Sequence, residues 1–170
     1  MDSFELNPVL QGVEISVGYF RNVQNVKEIK QRIVDGSLCM SMIKACMIAD
    51  LFQVLTACSK AFHHEAEKTL KTRNVFSEIL LILSPSNKIS ECFKLFGVQD
   101  TDTDIIVVAR KEESESLCAV IKGDTVNLSK LPEYCHVDAL KKLFKLSESE
   151  LSVCSLVNCI VSQMIAKELK

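Results

Sequence analysis

Eight cysteines and three histidines are the side chains of this chain best suited to hold a metal or attack an electrophile. The cysteines stand at Cys39, Cys46, Cys58, Cys92, Cys118, Cys135, Cys154 and Cys159, and no two form the C-x-x-C knuckle of a zinc site. Several have apolar neighbours, as in Leu117-Cys118-Ala119-Val120, where a free thiol serves as a small buried hydrophobe. His63 and His64 are adjacent, hence about 100° apart on a helix, and cannot face one metal together. Both fall on the polar side of their helix, which reads as solvated surface. His136 follows Cys135, but sequence neighbours rarely point at each other, which argues against a Cys-His nucleophile pair. Glu112 and Glu113 lie in an acidic stretch, without the apolar setting that raises a carboxyl for acid-base work. The five glycines are too scattered to cradle a phosphate, and neither G-x-S-x-G nor H-E-x-x-H occurs. No enzyme activity, metal or cofactor is expected.

Two features point to recognition instead. Lys60, Lys68, Lys71, Arg73 and Lys88 form a basic group near Thr72, Ser86 and Asn87, offset in part by Glu65, Glu67 and Glu78. It is either a solvated charged face or a set of contacts to nucleic-acid phosphates. The net charge of −2 argues against a protein that holds nucleic acid unaided, so such a surface would work inside a larger assembly. The second feature is the terminal segment. Val153, Cys154, Leu156, Val157, Ile160, Val161, Met164 and Ile165 cover about half of a helical circumference, wider than the roughly 100° stripe that lies on a core. Either the helix is deeply seated or part of that face meets another protein, with Met164 as an adaptable contact.

These residues must be carried by elements that the pattern makes legible. Val13, Ile15, Val17 and Tyr19 alternate with Glu14, Ser16 and Gly18, the mark of a half-buried strand. Asn25 with Glu28 reads as a capping box for a helix from Val26 to Asp35, stopped by Gly36. Asp50 with Gln53 opens a helix to about Lys68, with Leu51, Phe52, Val54, Leu55, Cys58, Ala61 and Phe62 on one side. Residues 40–49 are apolar without a clear period. Val75 to Leu83 suits a short helix ended by Ser84-Pro85, and Lys88 to Phe96 a second with Ile89, Cys92, Phe93 and Phe96 inward. The Ile-Ile-Val-Val run in Asp104 to Ala109 predicts a strand covered on both faces. Lys111 to Ser116 reads as a solvated loop, and Leu117–Ile121 with Thr125–Leu128 as a hairpin around Lys-Gly-Asp. A helix over Val137 to Leu146 follows, then a Ser147/Glu150 capping box for a final helix to about Leu169. The sum is a mixed α/β fold: one compact domain over residues 1–170, a small sheet flanked by helices, and a long C-terminal helix.

At 170 residues, with 48% hydrophobic and 25% charged side chains, the chain can bury a substantial core and is neither disordered nor membrane-like. Its apolar runs are too short to cross a bilayer. The first ten residues, MDSFELNPVL, lack the order of a secretory signal, which points to the cytoplasm and nucleus, where disulfides are not expected.

A series of short matches adds a family. Asp50-Leu51-Phe52-Gln53 with Lys60-Ala61, then Lys71-Thr72-Arg73, Ser77-Glu78-Ile79, Leu83-Ser84-Pro85, Ile89-Ser90-Glu91, Phe96-Gly97, Leu131-Pro132-Glu133 and Lys145-Leu146-Ser147 run through nearly the whole chain. In order and spacing they resemble the TPRKB family of KEOPS (EKC) complex subunits, the kinase-binding partners of the small atypical kinase PRPK. The resemblance implies a non-catalytic α/β subunit of the assembly that makes threonylcarbamoyl-adenosine in tRNA. Such a subunit binds and supports the kinase-like ATPase, contacts other KEOPS subunits, and helps recruit tRNA through its 3′ CCA end. On this chain the kinase-binding region would be Val153, Leu156, Val157, Ile160 and Met164, and the tRNA contacts Lys60, Lys71, Arg73, Asn87 and Lys88. The other reading of the same surfaces is a cytosolic protein-protein interaction adaptor that ignores RNA.

Overall fold

Two strands covered on both faces organise the structure, a computed structural model that describes residues 1–6 and 13–167. They are β2 (Glu14–Arg21) and β4 (Ile105–Arg110), antiparallel with Ile15 opposite Arg110 and Tyr19 opposite Ile106. β3 (Met40–Lys44) closes the far edge of β4. The other edge of β2 is shared by β1 (Asp2–Glu5) along its first half and β5 (Asp124–Val126) along its second. All pairings are antiparallel.

The helices are α1 (Val26–Val34), α2 (Leu51–Glu67), α3 (Val75–Leu83), α4 (Ile89–Phe96), α5 (Ser114–Val120), α6 (Val137–Leu143), α7 (Glu148–Val153) and α8 (Leu156–Ala166). They cover both sheet faces, and the strand period of two splits the core between them. Ile15, Val17, Tyr19, Ile43, Ile106 and Val108 join side chains of α2, α3, α6 and α8 in one apolar cluster. Phe20, Met40, Met42, Ile105, Val107 and Ala109 join α1 and α5 in the other. The mixed α/β class is as the pattern predicts.

Several local expectations are corrected. β2 is not half-buried: Ser16, Gly18 and Phe20 are as covered as the residues they alternate with, because helices pack on both sides. Asn25 makes no cap. Its side chain donates to the Val120 carbonyl (2.9 Å) and accepts from Lys122 N–H (3.0 Å), tying the start of α1 to the end of α5. Gly36 does stop α1, with φ +83°. Residues 40–49 resolve into β3 and a 3-10 turn at Ala45–Met47. Asp50 caps α2 by accepting from Phe52 N–H, but Gln53 is buried and accepts from Ala49 N–H, while Phe52 faces solvent. Lys111 to Ser116 is a 3-10 turn and the start of α5, and Leu117–Ile121 is not a hairpin strand; β5 pairs with Tyr19–Arg21 instead.

The terminal segment is divided. The Ser147/Glu150 capping box forms as expected, but α7 ends at Cys154, whose backbone is extended, and Ser155 starts α8 by accepting from Asn158 N–H at 3.3 Å. A second N-cap residue inside an unbroken apolar pattern allows the chain to turn there. The expected end near Leu169 lies outside the described residues.

Candidate functional site

Lys71 and Arg73 of the basic group sit on a loop that a buried carboxylate holds in place. α2 ends with Lys68 in the left-handed region (φ 58°), and Asn74 caps α3 by accepting from Ser77 N–H at 2.9 Å. Between them Lys71, Thr72 and Arg73 fold over Glu78, which is fully buried. Glu78 Oε2 accepts from Thr72 Oγ1 (2.7 Å), Thr72 N–H (2.9 Å) and Lys71 N–H (3.1 Å), and Oε1 lies 3.2 Å from His64 Nδ1. Burial pushes this carboxyl up, but the bonds from Thr72, His64 and Lys71 outweigh it and hold Glu78 below the usual 4.5. With an ionised partner that only accepts, Nδ1 carries the proton it shares.

Two placements are thereby corrected. His64 is nearly covered and bonded to Glu78, not solvated, whereas His63 is exposed and 3.3 Å from Glu67. None of the three acids expected to offset the basic group pairs with its side chains on this loop. Glu65 meets Arg110 (2.7 Å), Glu67 meets His63, and Glu78 takes backbone and hydroxyl protons. Lys71 and Arg73 are exposed and make no ion pair among the described residues.

Beside this loop runs a groove of about 860 Å³, between the end of α1, the edge strand β3, and α3 with α4. That is within the range of about 300–1,000 Å³ typical of ligand sites. Lys71, Thr72, Arg73 and Asn74 form part of its rim, and Met40, Met42 and Phe76 line it too. Its wall corrects the reading of α4. Cys92 and Phe96 point inward, but Ile89 and Phe93 are 42% and 37% exposed and line the groove with Val34. Gly97 keeps the end of α4 tight, since a Cβ there would stand 2.4 Å from the Phe93 carbonyl oxygen.

The five expected RNA contacts separate. Lys71 and Arg73 share the groove rim. Asn87 and Lys88 are exposed on the turn just before Ile89. That turn is well tied, with Lys88 N–H donating to Ser86 Oγ (3.2 Å) and Ser86 Oγ donating to Glu91 (2.5 Å). Lys60 stands apart, in a second groove of about 720 Å³ between β1, α2 and α8. That groove is lined by Phe4, Leu6, Phe52, Leu55 and Ile165, with His63 beside Lys60, and Phe52 and Ile165 are large exposed apolar side chains.

The terminal-helix set separates as well. Ile160 and Met164 are 0% exposed and belong to the core of their own domain, so in the free protein they face no partner. Leu156 and Val157 are half-buried, and Val153, on α7, is 82% exposed. Sequence reasoning missed Val34 and treated Phe52, Ile89 and Phe93 as inward-facing. An amphipathic stripe shows that a face is apolar but not whether another element covers it.

Among the described residues no group of three or more His, Cys, Asp or Glu side chains is placed to hold a metal, and no helix is long and apolar enough to cross a membrane.

Comparison with known proteins places the chain in a family. Residues 20–168 match the family described as kinase binding protein CGI-121. The chain is 34% identical over 154 residues to the EKC/KEOPS complex subunit TPRKB of Danio rerio, covering 88% of each. It is 27% identical over 158 residues to the EKC/KEOPS complex subunit cgi121 of Aspergillus fumigatus, covering 86% of this chain and 84% of that one. With the subunit CGI121 of Candida glabrata it shares 30% identity over 128 residues, 72% of each.

Proposed function

This chain belongs to the CGI-121 family of kinase-binding proteins, and we propose that it acts as a non-catalytic subunit of a KEOPS-type complex. In that role it docks on a PRPK-like atypical kinase, joins other KEOPS subunits, and guides the single-stranded 3′ CCA end of tRNA for threonylcarbamoyl-adenosine modification.

The observation that carries the RNA half is the groove beside the Glu78-anchored loop. Lys71 and Arg73, exposed and without an ion pair among the described residues, offer cations for phosphates. Phe93, Ile89 and Val34 offer apolar faces for bases that are not stacked on each other. Asn87 and Lys88 extend the polar surface past Ile89. Few cations and a net charge of −2 imply weak binding alone and strong salt dependence. Lys60 falls in the other groove and is not part of this site.

The kinase half is supported by the seam between α2 and α8, where exposed Phe52 and Ile165 flank an apolar groove. Exposed Val153 and half-buried Leu156 and Val157 supply further apolar surface at the other end of α8. Aromatic and aliphatic anchors of this kind dominate protein interfaces.

Capture of a PRPK-like kinase by the purified protein tests this half. Phe52→Glu with Ile165→Glu should abolish capture while leaving thermal stability close to wild type. A folded double variant that still captures the kinase would sink the assignment. A kinase complex indifferent to tRNA would favour the RNA-blind adaptor.

A further inference from the structure

The junction between α7 and α8 holds two thiols in an unusual place. Cys154 precedes the N-cap Ser155, and Cys159 is the fourth residue of α8. Side chains at these two positions meet across the first turn of a helix, where an apolar pair commonly forms a staple. Here both positions are cysteines. Cys159 Sγ lies 4.0 Å from the Cys154 carbonyl oxygen and 3.9 Å from that of Glu150. Cys154 is exposed to solvent, whereas Cys159 is buried.

We propose that Cys154 and Cys159 form a redox-sensitive dithiol, which closes to an intramolecular disulfide when the protein meets a peroxide. Exposed Cys154 is the attacking thiol and sheltered Cys159 the resolving one. The Cys154 thiolate attacks one oxygen of hydrogen peroxide, the O–O bond breaks, and the departing hydroxide takes a proton to become water. The Cys159 sulphur then attacks the sulfenic sulphur. It gives up its proton as hydroxide leaves, and the two combine as a second water. Two thiols are oxidised to one disulfide and one peroxide is reduced to two waters.

Burial also raises the Cys159 thiol, which suits it to resolve and not to attack, and Cys46, Cys58 and Cys135 are worse placed than Cys154 as attacking thiols. Burial pushes the Cys58 thiol far up, Cys135 to about 11, and Cys46 upward as well, and a thiol kept protonated is a poor nucleophile. Closure would fix the extended backbone at Cys154 between Val153 and Leu156. Any effect on kinase capture rests on the docking reading above, but formation of the disulfide does not.

The test treats the full-length protein with stepwise hydrogen peroxide, blocks free thiols with an alkylating agent, and maps peptides by mass after cleavage at Leu156. The expected product is a pair of peptides joined through Cys154 and Cys159, lighter by two hydrogens and separated by dithiothreitol. With Cys159→Ser, Cys154 should persist as a sulfenic acid that dimedone captures. Recovery of both residues as free thiols at doses that oxidise other cysteines would overturn the proposal. So would a disulfide joining either one to a different cysteine.

Discussion

Thr72 Oγ1 donates to Glu78 Oε2 at 2.7 Å, across the turn that leads into α3. This bond joins an exposed basic loop to a carboxylate with no solvent contact. The site around Glu78 offers donors: two backbone N–H groups, one hydroxyl and the His64 ring. Its shape is therefore set by a charge that only accepts hydrogen bonds.

Glu78→Gln replaces an accepting oxygen with an amide donor that faces other donors. Leaving such groups unsatisfied in a buried site costs about 1–3 kcal/mol, so a loss of roughly 2 kcal/mol in urea unfolding is expected. The apolar positions of α3 are untouched, and the far-UV circular dichroism should stay close to wild type. Trypsin should cut after Lys71 and Arg73 faster in the variant under native conditions, because the loop has lost its anchor.

The same carboxylate sets an acid dependence. Its folded-state value lies below the usual 4.5, so the unfolded chain binds the proton more readily than the folded one. The stabilisation is fully present above 4.5 and is lost as pH falls through the folded-state value. Urea midpoints followed down that range should drop more steeply for wild type than for Glu78→Gln, whose side chain does not titrate. Parallel curves would rule out Glu78 as the group responsible.

Lys167 provides a second tether. Its Nζ donates to the carbonyl oxygens of Leu81 (2.5 Å), Ser84 (2.8 Å) and Ser86 (3.0 Å), at the end of α3. A cation there also meets the negative end of the helix dipole. Lys167→Met keeps much of the stem and removes the charge, and should cost about 1–2 kcal/mol. Amide exchange should quicken around 84–88, the turn that bears Asn87 and Lys88.

The elements that position the candidate surfaces were readable where a residue pattern has one structural solution. Ile105 to Val108 is continuous and β-branched and could only be a strand covered twice. Ser147 with Glu150 could only be a capping box. The basic loop was legible from Lys71-Thr72-Arg73, but its anchor was not. Glu78 was counted as a surface offset, although a lone carboxylate among Ile79, Leu80 and Leu81 was a signal for a buried, fully bonded charge. The width of the terminal apolar face misled for a related reason. Ile160 and Met164 fill the core because α8 packs against α2, and helical periodicity does not report how deeply a helix is seated. Lys60 shares the charge of Lys71 but stands on α2, in the other groove, a separation that only tertiary packing sets.

The proposed separation of two docking surfaces, with tRNA at the Lys71/Arg73 groove, is tested most directly by fluorescence anisotropy on the kinase complex. The titration compares intact tRNA with tRNA lacking its terminal CCA. Wild type should bind the intact tRNA about tenfold more tightly, a difference of about 1.4 kcal/mol. Lys71→Glu with Arg73→Glu should erase that preference while the kinase stays bound. An undiminished preference for the CCA end in the double variant would contradict the placement of RNA in this groove.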